Sequence, residues 1–356
     1  MDIFGLPVAL IIPAGLWLIF VWRRYFKEYR PGFAGDYYRD LPADYTPAEL
    51  GVLWNFGNPA PRDLVATIFD LARKGYIIIR EIETTQKTLL GKSEKKNYLI
   101  EVTQKSNDDS KLAEHEKRVM VLLFRRMGEN TGTLSFDQIK DYASKNAQEF
   151  RKVFSSWQET VRDVAGRHNF FDSPAAARGR AIGASVAVAS MATGILLLML
   201  KFFVSGIGAL TMSIGLLIAS FTSNRRSREG ATQLAKWKAF RRFLVDFSSL
   251  HDAPVLSLAI WEHYLVYAIT LGVAKKVIDQ LKIIMPELSD VSRTAVPAWF
   301  ILSRDGDFSS GFASLTESLE STMHAALSPS SSSSGGGGGF SSGGGGGGGG
   351  GGTSFS

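Results

Sequence analysis

Two apolar runs, separated by a short break and bracketed by arginines, limit most strongly what this chain can fold into. They lie between Arg178 and Arg228, and the break falls near residues 201–206. The hydrocarbon core of a bilayer requires about 20 apolar residues per helix, and the two runs each reach that length. The pattern predicts a transmembrane helical hairpin over residues 179–224. Cytoplasmic loops carry an excess of Lys and Arg, so the arginines predict that both flanks of the hairpin are cytoplasmic.

A third apolar run, Ile3 to Trp22, predicts an N-terminal transmembrane anchor over residues 1–24. Arginines and aromatic residues follow it, which is typical of a helix end at the cytoplasmic face. A cleaved signal peptide is the alternative, but it would carry basic residues before the run, where this chain has Asp2. With three crossings and an outside N-terminus, the C-terminus is predicted to be cytoplasmic.

Basic residues gather beside the apolar runs, although the formal net charge of the chain is only +6. Such clusters favour contact with anionic lipid headgroups. The residues predicted to lie at the membrane surface are Arg23, Arg24, Arg178, Arg180, Arg225, Arg226 and Arg228. The lipid bilayer is therefore the first predicted partner.

Between the anchor and the hairpin, the sequence predicts a winged-helix-like module over residues 43–106. A capping box at Thr46 and Glu49 begins a short helix, and a second helix with apolar residues at three- and four-residue spacing ends at Gly75. Two segments of strand character follow, joined by a basic loop over residues 87–96. Helix, turn, helix, strand, loop and strand is the element order of a winged helix.

A winged helix suggests DNA binding, in which the second helix enters the major groove. The outward face of that helix is predicted to carry Arg62, Asp63, Thr67, Asp70, Arg73 and Lys74. Two of these six residues are acidic and would repel phosphates, so nucleic acid is a disfavoured partner. If DNA bound there, Arg62, Arg73 and Lys74 would make the contacts.

The remaining segments are assigned from composition and periodicity. They are a linker over residues 25–42, a helical cytoplasmic module over 107–178, a basic amphipathic and helical segment over 225–290, a weakly ordered lead-in over 291–328 and a disordered Ser/Gly-rich tail over 329–356. The basic helix after Arg225 fits either a membrane surface or packing on the cytoplasmic domain. The apolar run over residues 260–274 favours a buried helix over a fourth span, because Glu262 and His263 interrupt it and a charge at bilayer depth is costly.

No residue pattern predicts a catalytic, cofactor or metal site. The chain has no cysteine, which excludes disulfides and thiolate metal ligands. Glu262 and His263 are adjacent, and adjacent helical residues point about 100° apart, so they do not converge on one substrate. Residues 91–93 resemble the end of a Walker loop, but Gln86 stands where its first glycine belongs. The sequence therefore predicts a protein without enzymatic activity.

Four segments together resemble the YciQ-like family, a group of predicted bacterial membrane proteins of unknown function. They are residues 45–51 (YTPAELG), 66–77 (ATIFDLARKGYI), 236–240 (KWKAF), and 261–268 (WEHYLVYA) with 271–273 (LGV). The resemblance implies a place in the bacterial cytoplasmic (inner) membrane. Members usually begin with a signal peptide and an extracytoplasmic β-rich domain, and this chain departs from them by lacking that N-terminal half. The resemblance implies no characterised activity or catalytic residue.

These observations predict a mainly α, integral membrane fold. It has three transmembrane helices, a cytoplasmic winged-helix-like α+β module and further helical segments. The predicted function is that of a scaffold or sensor acting through contacts with other proteins, or with further copies of itself in a homo-oligomer. The alternative is a membrane-tethered regulator that binds DNA through the winged-helix-like module.

Overall fold

The computed structural model describes residue 23 and residues 27–88, 91–222, 225–247, 258–284, 297–302 and 308–328. The predicted anchor run, Arg24 and the Ser/Gly-rich tail lie outside these residues. Within the described part, the chain is mainly α-helical with one small mixed sheet.

Two short helices begin the domain, where the capping box predicts the first of them. Helix α1 spans Pro47–Trp54 and helix α2 spans Pro61–Arg73. Both halves of the capping box are present, because the Glu49 N–H donates to the Thr46 hydroxyl and the Thr46 N–H donates to the Glu49 carboxylate at 2.8 Å. The chain leaves α2 through Gly75, whose φ of 79° lies in the left-handed region that glycine tolerates.

A four-stranded sheet follows, in the order β3, β2, β1, β4. Strands β1 (Ile77–Thr88) and β2 (Gly91–Val102) pair antiparallel along their whole length. Strand β3 (Thr133–Ser135) pairs antiparallel with β2, and β4 (Phe300–Ile301) pairs parallel with β1. The sequence assigns residues 87–96 to a loop, but most of them extend this long hairpin.

Three helices form the next segment, which the sequence predicts to be helical. Helix α3 (Glu114–Met120) continues without a break as a π-helix over Val121–Met127. Helix α4 (Phe136–Lys145) begins after its N-cap Ser135, and α5 spans Ala147–Ala165. One face of α5 is buried, and its large apolar residues are Phe150, Phe154, Trp157 and Val161.

The apolar pair forms the predicted helical hairpin. Helices α6 (Ser173–Met199) and α7 (Phe203–Thr222) are joined by a turn in which Lys201 has φ of 65°. A Cβ added at Gly206 would lie 3.0 Å from the carbonyl oxygen of Gly194 and 2.6 Å from Leu198 Cγ. Small residues therefore let the two helices approach closely.

The outer surface of the hairpin is apolar and exposed. In the described part of the chain, Ala177–Met199 is the one helix long and apolar enough to cross a membrane, and little of it is buried. Helix α7 contributes a shorter apolar stretch, Phe203–Ile218. Three spans therefore stay a prediction. Exposed apolar side chains cover both helices, among them Val188, Leu196, Met199, Val204, Ile207 and Ile218.

The basic helix after the hairpin packs on the domain. Helix α8 (Arg228–Asp246) buries Trp237 and Phe240 completely. The Trp237 ring lies 5.1 Å from the ring of Tyr267, and the Phe240 ring lies 4.9 Å from that of Tyr264. Of the two alternatives that the sequence leaves open, these contacts favour packing over a membrane surface.

The apolar run near residue 260 is a buried helix of the same domain. Helix α9 (Leu258–Thr270) has 13 residues, whereas a span needs about 20. Leu265, Val266 and Ile269 are at most 1% exposed. The buried helix favoured by the sequence is the arrangement observed, and helix α10 (Ala274–Ile284) continues from it.

The lead-in over residues 291–328 contains, within its described residues, more secondary structure than its weak pattern predicts. It supplies β4 and a twenty-residue helix, α11 (Phe308–Leu327). Helix α11 packs against α2, where the ring of Phe312 lies 4.9 Å from that of Phe69. Because α9 also packs on α2, the second helix of the predicted winged-helix-like module lies at the centre of the domain.

Candidate functional site

The two ends of the hairpin meet at its base in a short antiparallel pairing. The Asp172 N–H donates to the Arg225 carbonyl, and the Ser227 N–H donates to the Phe170 carbonyl, each at 2.9 Å. Gly230 packs so closely on the Phe170 carbonyl that a Cβ would clash with it. We call this region, Phe170–Asp172 with Arg225–Ser227, the neck.

Arg226 joins the neck to the C-terminal end of α1. Its guanidinium donates to the Leu53 carbonyl at 2.9 Å and to the Trp54 carbonyl at 3.3 Å, and it pairs with Glu28 at 2.8 Å. The last carbonyls of a helix have no hydrogen-bond donor within the helix. Arg226 supplies a donor to two of them. The guanidinium also lies 3.5 Å from the centre of the Phe56 ring. Arg226 is only 3% exposed.

Arg225 joins the neck to the segment that follows the predicted anchor. It donates to Asp172 Oδ2 and to the Tyr29 hydroxyl, each at 2.6 Å. The Tyr29 hydroxyl in turn donates to Asp172 at 3.0 Å. The chain leaving the first apolar run therefore contacts the base of the hairpin directly.

These contacts correct part of the predicted membrane surface. Arg225 and Arg226 are buried in the neck, at 4% and 3% exposure, and bind protein groups instead of facing lipid headgroups. Their partners are distant in sequence, so an arginine after an apolar run gives no local signal of burial. The other described arginines of the set, Arg23, Arg178, Arg180 and Arg228, are exposed or half-exposed.

The N-terminal end of α1 is held by residues on the other flank of the hairpin. The Glu49 carboxylate is fully buried and pairs with Arg167 at 2.7 Å and His168 at 3.0 Å. Burial by itself would raise the pKa of Glu49, but hydrogen bonds from Thr46 and His168 and the charge of Arg167 lower it. Helix α1 is thus fixed at one end by residues before α6 and at the other end by Arg226 after α7.

A second buried group extends this polar cluster towards α3. His115 is fully buried, and its Nε2 lies 3.1 Å from the Thr46 hydroxyl. Burial lowers the pKa of His115 to about 4, so the imidazole is neutral near pH 7. Glu116, the next residue, pairs with Lys74 at 2.5 Å.

The cations predicted for nucleic-acid contact are engaged within the protein. Arg73 pairs with Asp70 at 2.8 Å, and Lys74 pairs with Asp70 at 2.8 Å as well as with Glu116. Arg62 is half-buried and donates to Asn55 at 3.4 Å. The predicted outward face is wrong for Asp63, Thr67 and Asp70, which are at most 3% exposed.

The position of the Asp63 carboxylate explains why residue 51, in the first resemblance segment, is a glycine. The carboxylate accepts from the Ala60 N–H at 2.6 Å and from Asn55 at 3.2 Å. It lies against Gly51, where a Cβ would clash with it. Burial raises the pKa of Asp63 to about 7.

A family model described as the C-terminal domain of the predicted membrane proteins DUF2207 matches residues 34–281, well over half of the chain. The chain belongs to this family. No curated protein and no solved structure matches it. DUF2207 membership agrees with the resemblance to YciQ-like predicted membrane proteins, and the absence of an N-terminal half stays a prediction.

The DUF2207 match includes the hairpin, the neck and all four resemblance segments. The fold brings these segments together, because α1, α2, α8 and α9 pack on one another. The Tyr267 hydroxyl donates to the Tyr45 carbonyl at 2.6 Å, and the Trp237 ring stacks on Tyr45 at 6.3 Å. The motifs are therefore explained by packing around α1.

Glu262 and His263 do not form an acid/base pair. Glu262 accepts from the Trp299 indole N–H at 3.1 Å, and the His263 ring lies 5.3 Å from that of Tyr267. Burial lowers the pKa of His263 to about 4. In the described part of the chain, no group of three or more His, Cys, Asp or Glu side chains could hold a metal ion.

Proposed function

We propose that this protein is a non-enzymatic integral membrane scaffold or sensor, acting through protein contacts, in which the hairpin is coupled mechanically to the cytoplasmic domain through α1. The observation that carries the proposal is the attachment of α1 at both ends. At the N-terminal end, Glu49 pairs with Arg167 and His168, which precede α6. At the C-terminal end, Arg226, which follows α7, binds a helix carbonyl. A tilt of the hairpin in the bilayer would pull on both ends of α1. Helix α1 contacts α2, α5, α8 and α9, so the core would respond.

The proposed topology has three spans, an outside N-terminus and a cytoplasmic C-terminus in the bacterial inner membrane. The exposed apolar surface of α6 and α7 supports insertion of the hairpin, since monomeric soluble proteins rarely expose apolar patches beyond a few hundred Å². The contact of Tyr29 with Arg225 supports a first run that leaves from the same base as the hairpin.

Single-cysteine labelling tests this topology, because the chain has no cysteine of its own. In intact bacterial cells, a membrane-impermeant maleimide should label Lys201→Cys at the hairpin turn. Arg178→Cys and Arg228→Cys should react only after permeabilisation. Labelling of Arg178→Cys and Arg228→Cys in intact cells, with Lys201→Cys protected, would reverse the orientation. Protection of all three positions until permeabilisation would exclude a crossing hairpin.

The DNA-binding alternative receives no comparable support. Reading of base edges requires an exposed helix that reaches the major groove. Helix α2 is covered by α9 and α11, and the side chains of Arg73 and Lys74 pair with internal carboxylates.

A further inference from the structure

A groove of about 470 Å³ lies on the surface between α3, its π-helical continuation and α5. Sites for small molecules typically measure about 300–1,000 Å³. The floor is apolar and includes Val121, Leu122, Val153 and Trp157. Val121, at the start of the π-helical turn, is 39% exposed. π-Helical turns are rare in proteins, and those that occur often lie at functional sites.

The walls of the groove carry more positive than negative charge. They contain four cations and two carboxylates: Lys117, Arg118, Arg126 and Lys152 with Glu114 and Glu149. Arg126 pairs with Glu149 at 2.8 Å, Arg118 lies 3.9 Å from Glu114, and Lys117 pairs with Asp109 at 3.3 Å. Lys152 is exposed and makes no ion pair with any residue that the structure describes.

A buried donor in the floor also lacks a partner. Trp157 is 2% exposed and stacks on Phe154 with ring centres 5.5 Å apart. Its Nε1–H has no acceptor among the described residues. Buried donors without a partner are uncommon, and this one belongs to a residue that lines the groove.

We propose that the groove binds a small amphipathic carboxylate, with its apolar chain over Val121, Leu122 and Trp157 and its acid group beside Lys152. The apolar floor requires an apolar body, and the charge surplus requires an anion. A carboxylate brings a single negative charge to the single unpaired cation of the described walls, whereas a phosphate monoester brings about 1.5 to 2. This site is independent of the proposed scaffold function, and either can fail without the other.

Octanoate and octanamide are matched probes, because they share an apolar chain and differ in charge. With the full chain in lipid nanodiscs, octanoate should produce a saturable change in tryptophan fluorescence that Trp157→Phe removes. Octanamide should bind at least about tenfold more weakly. Lys152→Ala should weaken octanoate binding by about fivefold, as expected for an exposed ion pair of about 1 kcal/mol. Lys140→Ala, an exposed lysine outside the groove, should leave binding unchanged.

Three results would overturn the proposal. Equal binding of octanoate and octanamide would show that charge is not recognised. Equal effects of Lys152→Ala and Lys140→Ala would remove the site from this groove. A fluorescence change that rises without saturation would show partition into the nanodisc lipid only. The comparison of the two probes uses the unaltered chain, so it decides the question even if a variant is unstable.

Discussion

Arg226 and Arg228 are two residues apart, yet one is buried and the other is exposed, so their substitution should affect stability very differently. Arg228 is exposed, with its guanidinium 5.1 Å from the Tyr29 ring centre. Arg226 is 3% exposed and binds two carbonyls at the end of α1. A buried polar group that loses its partner costs about 1–3 kcal/mol, whereas most exposed substitutions change stability by less than about 0.5 kcal/mol.

Arg226→Met should therefore destabilise the protein by about 2–4 kcal/mol, because the buried Leu53 carbonyl and the partly buried Trp54 carbonyl lose their donor. Arg226→Lys should have an intermediate effect, since an ammonium cannot reproduce the planar donor geometry of a guanidinium. The measurement is thermal unfolding of the full chain in nanodiscs, with hydrogen exchange of the α1 amides as a local readout. Arg228→Met is the matched control and should change little. Equal losses of stability at both positions would contradict the role of Arg226 in holding the end of α1 and would favour a shared role at the membrane surface.

At the scale of elements, local signals predict where helices begin but not what covers them. Thr46 and Glu49 form the predicted capping box, and Ser135 and Gln138 form a second one. The face of α2 that reads as outward is polar, yet Asp63, Thr67 and Asp70 on it are buried, because their polar groups find partners within the protein. The Thr67 hydroxyl donates to the Asp63 carbonyl at 2.7 Å. The covering helices α9 and α11 begin 185 and 235 residues after the end of α2, so no periodicity within α2 reveals them.

The hairpin contains two glycines of α7 in contrasting positions. A Cβ at Gly206 would meet Leu198 and the Gly194 carbonyl, whereas a Cβ at Gly208 would meet nothing within 4 Å. Gly206→Leu should force α6 and α7 apart and cost at least about 1–3 kcal/mol, as overpacking does. Gly208→Leu should be nearly neutral. Fluorescence energy transfer between labels on the two helices, together with the unfolding temperature, measures both effects. An equal loss at Gly208 would show that this face packs against a further helix, as the predicted homo-oligomer would require.

At the scale of the whole molecule, the core extends beyond the segment that the family match covers. Residues 34–281 include α1 to α9 and most of α10, but α2 remains partly uncovered without α11. Helix α11 buries five large apolar side chains, each at most 1% exposed: Phe308, Phe312, Leu315, Leu319 and Met323. Strand β4 also joins the sheet from this segment. The C-terminal segment therefore belongs to the same hydrophobic core as the helices that carry the family motifs.

Removal of residues 308–356 should consequently abolish cooperative unfolding of the domain formed by α1 to α5 and α8 to α11. Burial of one large apolar side chain contributes about 1.5–3 kcal/mol. The contribution of five such side chains is therefore comparable to the whole free energy of unfolding of a typical domain, roughly 5–15 kcal/mol. Removal of residues 329–356 is the matched control and should leave the unfolding temperature unchanged, because Arg151 already binds the Ala326 and Ser328 carbonyls at 3.3 and 3.4 Å. Limited proteolysis and tryptophan fluorescence during heating distinguish the two truncations. A cooperative transition that survives the longer truncation would mean that the family segment alone closes the core, with α11 only resting on it.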